Sequence, residues 1–487
     1  MQSSNDPSST PSNVVLDGQS EPDGFVRQAW VSAWRGGWAL ADHILFAGAN
    51  FLVQLGLARE WLSEYDFGVF SVAYVSFLIL GVFQTALLSE PVALFGAKRY
   101  RDNLPNYLSK TIGIHLVISL VGGLLLAGVG VSQLLFGEYT LGVALCALAI
   151  AQAFQLLPWT LRIACYLNSD PMHAGVSGLI YLVLVVGLLL GFDELGIMSI
   201  PAAVAAMAIS SLVVCVYLMY FLRISPRAIF QRAGYAEVLR DHWRYGKWAM
   251  PTGVMRWVPE HFPVLAAPLV IGWMASSDPD FESGGALKAM LHLSVPFVLF
   301  IAALSTLLVP MLVRRRGTPA FGKLSWQMLG VTFAITLISW PIVGFNHEWI
   351  IQKIYNGHFI EHAGLLWIVG LIPVLISIDC ILCAQLHAVE RPDRSFYGSI
   401  AASAVLIIVG LPMLAIWGLP GILIAMLISY AAQAVVLWLT GGGIIRAASR
   451  PENSLASAES GCKLDQADEI HTQTAQSEAN GNLGYAG

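Results

Sequence analysis

The residues best able to do chemistry in this sequence are ionisable side chains inside strongly apolar segments. The densest group is the stretch MRWVPEH, which contains Arg256, Glu260 and His261. In a helix, Arg256 and Glu260 are four residues apart and share one face. Pro259 cannot donate a backbone hydrogen bond, so it frees the carbonyl of Met255 and should bend the helix. This pattern predicts a binding site, and the alternative is an Arg256–Glu260 pair that neutralises itself.

Three more ionisable residues extend this candidate site. Lys288 and His292 are four residues apart in the next apolar segment, and Asp379 is alone in a later one. The cations suit a phosphate or pyrophosphate group, although Lys288 can also reach the membrane interface. Asp379 is a candidate partner of Arg256 or ligand of a coupling cation, or a residue that simply packs against a neighbouring helix. The predicted substrate-binding residues are Arg256, Glu260, His261, Lys288, His292 and Asp379.

A second group of ionisable residues lies in the N-terminal half. Asp42, Glu90 and Arg162 fall toward one end of their apolar segments. Charged side chains at membrane depth usually face a cavity or a partner. They are candidates for an inner gate that forms salt bridges when the cavity faces outward, and the alternative is anchoring at the interface or mutual pairing.

Motifs of soluble enzymes are missing from the sequence. It contains no P-loop, no H-E-x-x-H and no G-x-S-x-G pattern. Cys380 and Cys383 form a C-x-x-C inside an apolar stretch, but no second pair accompanies it. The longest outer loop, residues 346–362, holds several histidines and acids but is short for a catalytic domain. We expect no catalytic residue, no metal and no cofactor, and we predict that the protein is not an enzyme.

Twelve apolar segments of bilayer length position these residues. Hydrophobic residues make up 56% of the chain and charged residues 12%, with a mean hydropathy of +0.67. A soluble domain carries about 25% charged residues. Helices satisfy their own backbone in lipid, so the sequence predicts an all-α polytopic membrane protein. The predicted spans are Gly37–Leu57, Phe67–Ala97, Leu108–Phe136, Leu141–Leu167, Ala174–Phe192, Ile197–Leu222, Trp243–Trp273, Gly284–Val313, Leu324–Phe345, Gly364–Ala388, Phe396–Trp417 and Leu419–Ile445.

The loops between the spans alternate in charge. Lys and Arg gather in one set and Asp and Glu in the opposite set, and the positive-inside rule places the basic set in the cytoplasm. An even number of spans then puts both termini on the cytoplasmic side. The basic loops include residues 98–101, 223–247, 314–323 and 391–394, and the acidic loops include residues 60–66, 138, 193–194 and 278–282.

The sequence divides into two halves of six spans with polar ends. The N-terminal stretch lacks the basic start and apolar centre of a signal peptide, and both ends have the composition of disordered tails. We predict a cytoplasmic tail at 1–35, a six-helix lobe at 36–222, a basic cytoplasmic linker at 223–242, a second six-helix lobe at 243–447 and a cytoplasmic tail at 448–487.

A weak internal repeat relates the two halves. The second span ends with TALLSEPVAL before Lys98 and Arg99, and the eighth ends with STLLVPML before Arg314. Each reads hydroxyl, Leu-Leu, Pro and then a basic cluster, and the two spans run in the same direction. The repeat is therefore parallel, with a pseudo-two-fold axis along the membrane normal, as in carriers whose halves rock about a central cavity.

The segment after the first span resembles a known motif. Residues 57–70 read LAREWLSEYDFGVF, similar to the LAR-x-L-s-x-x-x-F-G-x-F pattern of polysaccharide biosynthesis proteins. These are the oligosaccharide-lipid flippases of the multidrug/oligosaccharidyl-lipid/polysaccharide exporter superfamily. The resemblance covers about residues 36–445. It implies two six-helix lobes around a central cavity and outward transport of a lipid-linked sugar by alternating access, but it transfers no substrate-contact residue.

Three functions remain open from the sequence. The favoured one is a flippase that moves a lipid-linked oligosaccharide or polysaccharide precursor from the cytoplasmic to the outer leaflet of a bacterial inner membrane. A cation-coupled drug or small-molecule exporter of the same fold is the alternative, but such a cavity should hold mostly acids. A membrane polysaccharide polymerase would need a larger outer loop.

The favoured function also predicts the partners of the protein. They are the lipid-linked glycan, membrane lipids, and the glycan polymerase and glycosyltransferases of the same pathway. No nucleic acid is expected.

Overall fold

The computed structural model describes residues 22–449 apart from Ser169, Ser277 and Pro392. Within these residues the chain is helical and contains no strand. The prediction of an all-α polytopic membrane protein is confirmed. Two groups of helices, which we call the first and second lobes, are joined by residues 222–234.

The first lobe contains six spans. Its second span continues from α2 through one turn of π-helix at Thr85–Ser89 into α3, and a similar π-turn, Leu57–Trp61, ends the first span. Its helices are α1 (Pro22–Gly56), α2 (Glu64–Gln84), α3 (Glu90–Gly96), α4 (Leu104–Phe136), α5 (Tyr139–Leu167), α6 (Pro171–Glu194) and α7 (Ile200–Phe221).

The second lobe follows the short linker helix α8 (Pro226–Ile229). Its eleventh span passes through a π-turn at Leu406–Gly410, and the backbone of Gly418 (φ 63°, ψ −142°) separates the eleventh and twelfth spans. Its helices are α9 (Tyr235–Met274), α10 (Phe281–His292), α11 (Val295–Val313), α12 (Pro319–Phe345), α13 (His347–Ile354), α14 (Leu366–Val369), α15 (Ile372–Ala388), α16 (Asp393–Val405) and α17 (Leu411–Ala448).

The observed helices agree with the twelve predicted spans. Among the described residues, 10 helices are long and apolar enough to cross a membrane. One of these, Asp393–Ala448, contains both the eleventh and the twelfth predicted spans, divided at Gly418. The seventh predicted span is α9, which carries the ionisable cluster and is less apolar than the others.

Two predicted boundaries need correction. Helix α1 begins at Pro22, so the predicted tail 1–35 is helical over its last part. The linker predicted at 223–242 contains α8 and the start of α9, because α9 continues without a break from Tyr235 into the seventh span. Residues 1–21 and 450–487, which hold most of both predicted tails, lie outside the described residues.

The eighth span is broken, where the sequence predicts one helix over Gly284–Val313. Helix α10 ends at His292 and α11 begins at Val295. Pro296 explains the break, because it has no N–H to donate to the carbonyl of His292 four residues earlier. Ser294 caps the end of α10, since its hydroxyl donates to the carbonyl of Leu291 at 2.7 Å.

A buried polar network ties the first lobe together. Gln84 donates to Thr160 at 3.0 Å, and Thr160 shares a second hydrogen bond with Ser89 at 2.9 Å. His115 contacts the Gln84 side-chain oxygen at 3.0 Å and the Ala153 carbonyl at 2.8 Å. These bonds join α2, α4 and α5 and satisfy groups that would be costly to leave unpaired in lipid.

The lobes touch where the acidic loops lie, which we call the outer side; the side of the basic loops is the inner side. Helix α2 packs against α10 at Gly68 and Gly285. A Cβ at Gly68 would lie 1.8 Å from the Phe281 carbonyl oxygen, and one at Gly285 would lie 2.9 Å from that of Glu64. Only glycine permits this approach, which gives a physical reason for the glycine of the LAREWLSEYDFGVF motif.

Candidate functional site

The candidate site is organised by α9, whose course is set by four internal prolines, Pro251, Pro259, Pro263 and Pro268. Each removes one backbone hydrogen bond from the helix. The carbonyl of Met255, which Pro259 frees as predicted, accepts a hydrogen bond from the hydroxyl of Ser403 on α16. A freed carbonyl in lipid needs such a partner, so the proline both weakens α9 locally and ties it to the second lobe.

This tie can be tested by two substitutions. Ser403→Ala should leave the Met255 carbonyl unpaired and lower the free energy of unfolding by about 1–3 kcal/mol. Adding Pro259→Ala should recover much of that loss, because the new N–H can reach the carbonyl. The check is a thermal-unfolding double-mutant cycle in detergent, and additive effects of the two changes would contradict it.

The inner part of the site contains Arg256 and Glu260 on α9 and Asp379 on α15, and all three interact electrostatically with Tyr430 of the second lobe. The nearest basic side chain to Glu260 is that of its neighbour His261, whose Nε2 lies 3.9 Å from the Glu260 carboxylate, and the interaction of Arg256 with Glu260 is a longer-range electrostatic one. Both carboxylate oxygens of Asp379 lack a hydrogen-bond partner although this residue is only 5% exposed. The self-neutralising Arg256–Glu260 contact pair is therefore not formed, and neither is an Arg256–Asp379 bond.

Sequence reasoning did not identify two members of this inner group. Tyr430 on α17 is buried and interacts electrostatically with Glu260, Asp379 and Arg256. His387 lies two turns after Asp379 on α15, is exposed and interacts with Arg256. The spacing of His387 from Asp379 on one helix could have indicated that His387 belongs to this group. The residues around Tyr430 do not distinguish it from other aromatic residues in apolar helices.

The outer part of the site joins His261, Lys288 and His292. Lys288 on α10 interacts electrostatically with both histidines. His292 stacks on Phe51 of α1, with ring centroids 4.4 Å apart, and its Nε2 lies 3.0 Å from the Phe51 carbonyl oxygen. Its Nδ1 is buried without a partner, as is the indole N–H of Trp257. This group lies at the contact between the two lobes.

The candidate gate residues do not form one group. Asp42 on α1 and Arg162 on α5 form a buried ion pair at 2.7 Å inside the first lobe. Tyr166 also donates to Asp42 at 2.6 Å, and the Arg162 guanidinium lies 4.0 Å from the centre of the Phe46 ring. The structure thus shows mutual pairing for these two residues, and their role in a gate stays a prediction.

Glu90 does contact the other lobe. It is exposed and accepts a hydrogen bond from Tyr245 on α9 at 2.9 Å. Nearby, His242 of α9 contacts the Leu87 carbonyl at 2.8 Å and the Tyr107 hydroxyl at 2.7 Å. Pro91 cannot donate to Leu87, so His242 replaces the missing helical bond of the second span.

The inner end of α9 is held to the first lobe by charges as well. Arg99 pairs with Glu237 at 2.6 Å and with Asp241 at 2.9 Å. Tyr100 donates to Asp241 at 2.7 Å, and burial together with this bond raises the pKa of Tyr100. Exposed ion pairs contribute little one by one. Together with His242 they nevertheless form a continuous contact, which we call the inner latch.

Polar contacts also bridge the lobes on the outer side. Arg59 donates to the Lys353 carbonyl at 2.7 Å and Asn356 donates to Glu60 at 2.7 Å. Glu64 accepts a hydrogen bond from the Phe359 backbone N–H at 2.8 Å. The LAREWLSEYDFGVF segment therefore meets the outer loop of the second lobe, and the lobes are closed on this side.

The part of the chain that the structure describes contains no cluster of side chains typical of a metal site. No group of three or more His, Cys, Asp or Glu side chains there is arranged to hold one. Cys380 and Cys383 are free thiols on α15.

Comparisons with known proteins identify the fold. No family model and no curated protein matches the sequence. The structure is similar to the inward-facing conformation of a multidrug resistance MATE family transporter of the MOP superfamily, at 15% identity over 85% of this chain and 95% of that chain, with a TM-score of 0.64. The outward-facing conformation gives 14% identity over 85% and 96% of the two chains and a TM-score of 0.61.

A further similar structure is a MOP superfamily transporter from Pyrococcus furiosus. The identity is 15% over 86% of this chain and 93% of that chain, with a TM-score of 0.58. At these identities the likeness shows the fold, which is that of the MATE transporters. These similar structures belong to the superfamily that the sequence motif resembles.

Proposed function

We propose that this protein is a carrier that moves a lipid-linked oligosaccharide or polysaccharide precursor from the cytoplasmic to the outer leaflet by alternating access. The observation that carries the proposal is the difference between its embedded cations. Arg162 is neutralised by Asp42 at 2.7 Å, whereas Arg256 and Lys288 have no carboxylate within 4.0 Å among the described residues. A lipid phosphate or pyrophosphate would supply the missing anion.

In this proposal the outer and inner parts of the site have different roles. Lys288, His261 and His292 lie where the two lobes meet, so an anion bound there would lie next to the contacts that close the outer side. Arg256 lies one turn further inward on α9, where a headgroup arriving from the cytoplasm would meet it first. The closed outer side supports an inward-facing carrier that accepts its substrate from the inner leaflet.

The drug exporter remains a second candidate because of one observation. Asp379 is buried with both oxygens unpaired, and a cationic drug or a coupling cation would suit it. The Pyrococcus furiosus structure is described by a reversed polarity of its binding pocket that suggests a different function. The sign of the charge in the pocket is therefore a property that can separate functions on this fold.

A reconstitution experiment separates the two candidates. Protein in liposomes should move a fluorescent polyprenyl-diphosphate oligosaccharide between leaflets, because its headgroup matches the unpaired cations, and should leave a cationic dye in place. A prenyl alcohol of the same chain length, which lacks the phosphates, is the matched control and should not be moved faster than in empty liposomes. Transport of the dye that is lost in Asp379→Asn, without transport of the glycolipid, would favour the exporter.

A further inference from the structure

The second lobe contains an apolar pocket that the proposed transport does not use. It lies at the break of the eighth span, between the outer ends of the eighth, ninth and tenth spans, and its volume is about 210 Å³. Helix α13 covers it on the outer side. Its wall includes Leu293, Phe297, Trp340, Val343 and Ile354.

The polar groups in the wall of this pocket are already satisfied. The hydroxyl of Ser294 donates to the Leu291 carbonyl at 2.7 Å, and that of Ser339 donates to the Thr336 carbonyl at 2.9 Å. The indole N–H of Trp340 donates to the Trp367 carbonyl at 2.8 Å. The pocket therefore presents carbon surface, which suits a hydrocarbon chain and offers nothing to a sugar or an ion.

The pocket is held open by rigid aromatic contacts. Trp340 and Trp367 meet edge to face with ring centroids 5.7 Å apart. Gly370 allows this, because a Cβ there would lie 2.8 Å from the Trp340 ring. Leu293, Phe297 and Val343 stay half-buried, so apolar area around the pocket has no protein partner.

The position of the pocket identifies what reaches it. Val343 and Ser339 lie within the last two turns of α12, roughly 3–9 Å from its outer end. The neighbouring face of α12 exposes Ile338 and Ile342, which are 64% and 59% exposed and therefore face lipid. The medium next to the pocket is the acyl region of the outer leaflet.

We propose that this pocket binds one acyl chain of an outer-leaflet phospholipid. The bound chain fills the gap that the Pro296 break leaves between α10 and α11 and supports α13 from below. Helix α13 and the residues after it carry the outer-side contacts to Arg59 and Glu60, so the lipid stabilises the closed outer side.

Photocrosslinking tests this site without reference to transport. The full-length protein is reconstituted with phosphatidylcholine carrying a diazirine on one acyl chain, and labelled peptides are mapped by mass spectrometry. The expected result is labelling of the 293–297 segment, which is lost when Val343→Trp fills the pocket. Ile342→Trp, on the lipid-facing side of the same helix, should leave the labelling unchanged.

A second variant and a second lipid probe complete the test. Ile354→Trp fills the pocket from α13 and should abolish the same labelling, so misfolding of one variant does not decide the outcome. A diazirine-bearing polyprenyl phosphate distinguishes the source of the chain, because labelling of 293–297 by this probe alone would overturn the assignment to phospholipid. Labelling that is absent in the wild type, or equal in all three variants, would overturn the site itself.

Discussion

Arg256→Ala should abolish transport of the lipid-linked glycan while the amount of folded protein in the membrane stays near normal. The guanidinium has no ion-pair partner within the described residues, so its removal leaves no protein carboxylate newly unpaired at contact distance. What is lost is the group that would bind the lipid phosphate, and a guanidinium at membrane depth is best compensated by such an anion. The measurement is glycan on the cell surface together with membrane abundance of the variant.

Two companion variants sharpen this experiment. Arg244→Ala removes an exposed arginine from the inner end of the same helix and should leave export unchanged. Arg256→Lys keeps the charge but loses the planar guanidinium, so it should retain part of the activity. Export at the wild-type level in Arg256→Ala would show that the site is wrong, and disappearance of the protein would show that Arg256 is needed for folding.

Distances across the inner side should reveal that the moving joint lies within α9. The sequence predicts that the linker at 223–242 connects the two halves. The structure instead attaches the inner end of α9 to the first lobe through the inner latch, while the Met255 carbonyl attaches the next part to Ser403 in the second lobe. The joint therefore falls between these two attachments, where Pro251 removes a helical hydrogen bond.

Pairs of spin labels distinguish these arrangements. Labels at Ala97 and Arg316, on the inner ends of the second and eighth spans, should give two distance populations whose ratio changes with substrate, because a ligand shifts the equilibrium toward the state it prefers. Labels at Ala97 and Trp248 should give one population, since both move with the first lobe. Labels at Trp248 and Arg316 should again give two.

The opposite pattern would show that the moving joint lies in the linker at 223–242. In that case the Trp248–Arg316 distance would stay constant and the Ala97–Trp248 distance would split. Labels at Arg316 and Arg446, both at the inner side of the second lobe, are the control and should give a single distance in every condition. A single distance for all pairs during active export would contradict alternating access.

The sequence alone determined the number, type and approximate limits of the membrane helices. This was possible because a span must cover the bilayer with apolar side chains and satisfy its own backbone, which are local requirements. The same locality explains why Pro259 predicted a free carbonyl at Met255. The similar ends of the second and eighth spans, in which Leu-Leu is followed by Pro and a basic cluster, also indicated two related halves.

Contacts between spans were decided by the tertiary structure. Asp42 and Arg162 were grouped with Glu90 as a gate, yet the first two pair inside one lobe and only Glu90 reaches the other. The spacing of apolar residues does not indicate which helices become neighbours. The sequence therefore could not predict that Arg162 pairs with Asp42, or that Tyr430 interacts with Asp379. The break at Pro296 also depends on the tertiary structure, because α9 continues through four internal prolines and α11 continues through Pro310, whereas the eighth span is interrupted just before Pro296.

The largest difference between the sequence prediction and the structure concerns the seventh span. Hydropathy assigns it to the second half, because it follows the basic loop and begins the second set of six. The structure divides its contacts between the lobes, since His242, Asp241 and Tyr245 have their hydrogen-bond partners on the first lobe. Sequence order fixes which residues are joined by the chain, but hydrogen bonds and ion pairs between distant segments decide which body each part of a helix belongs to.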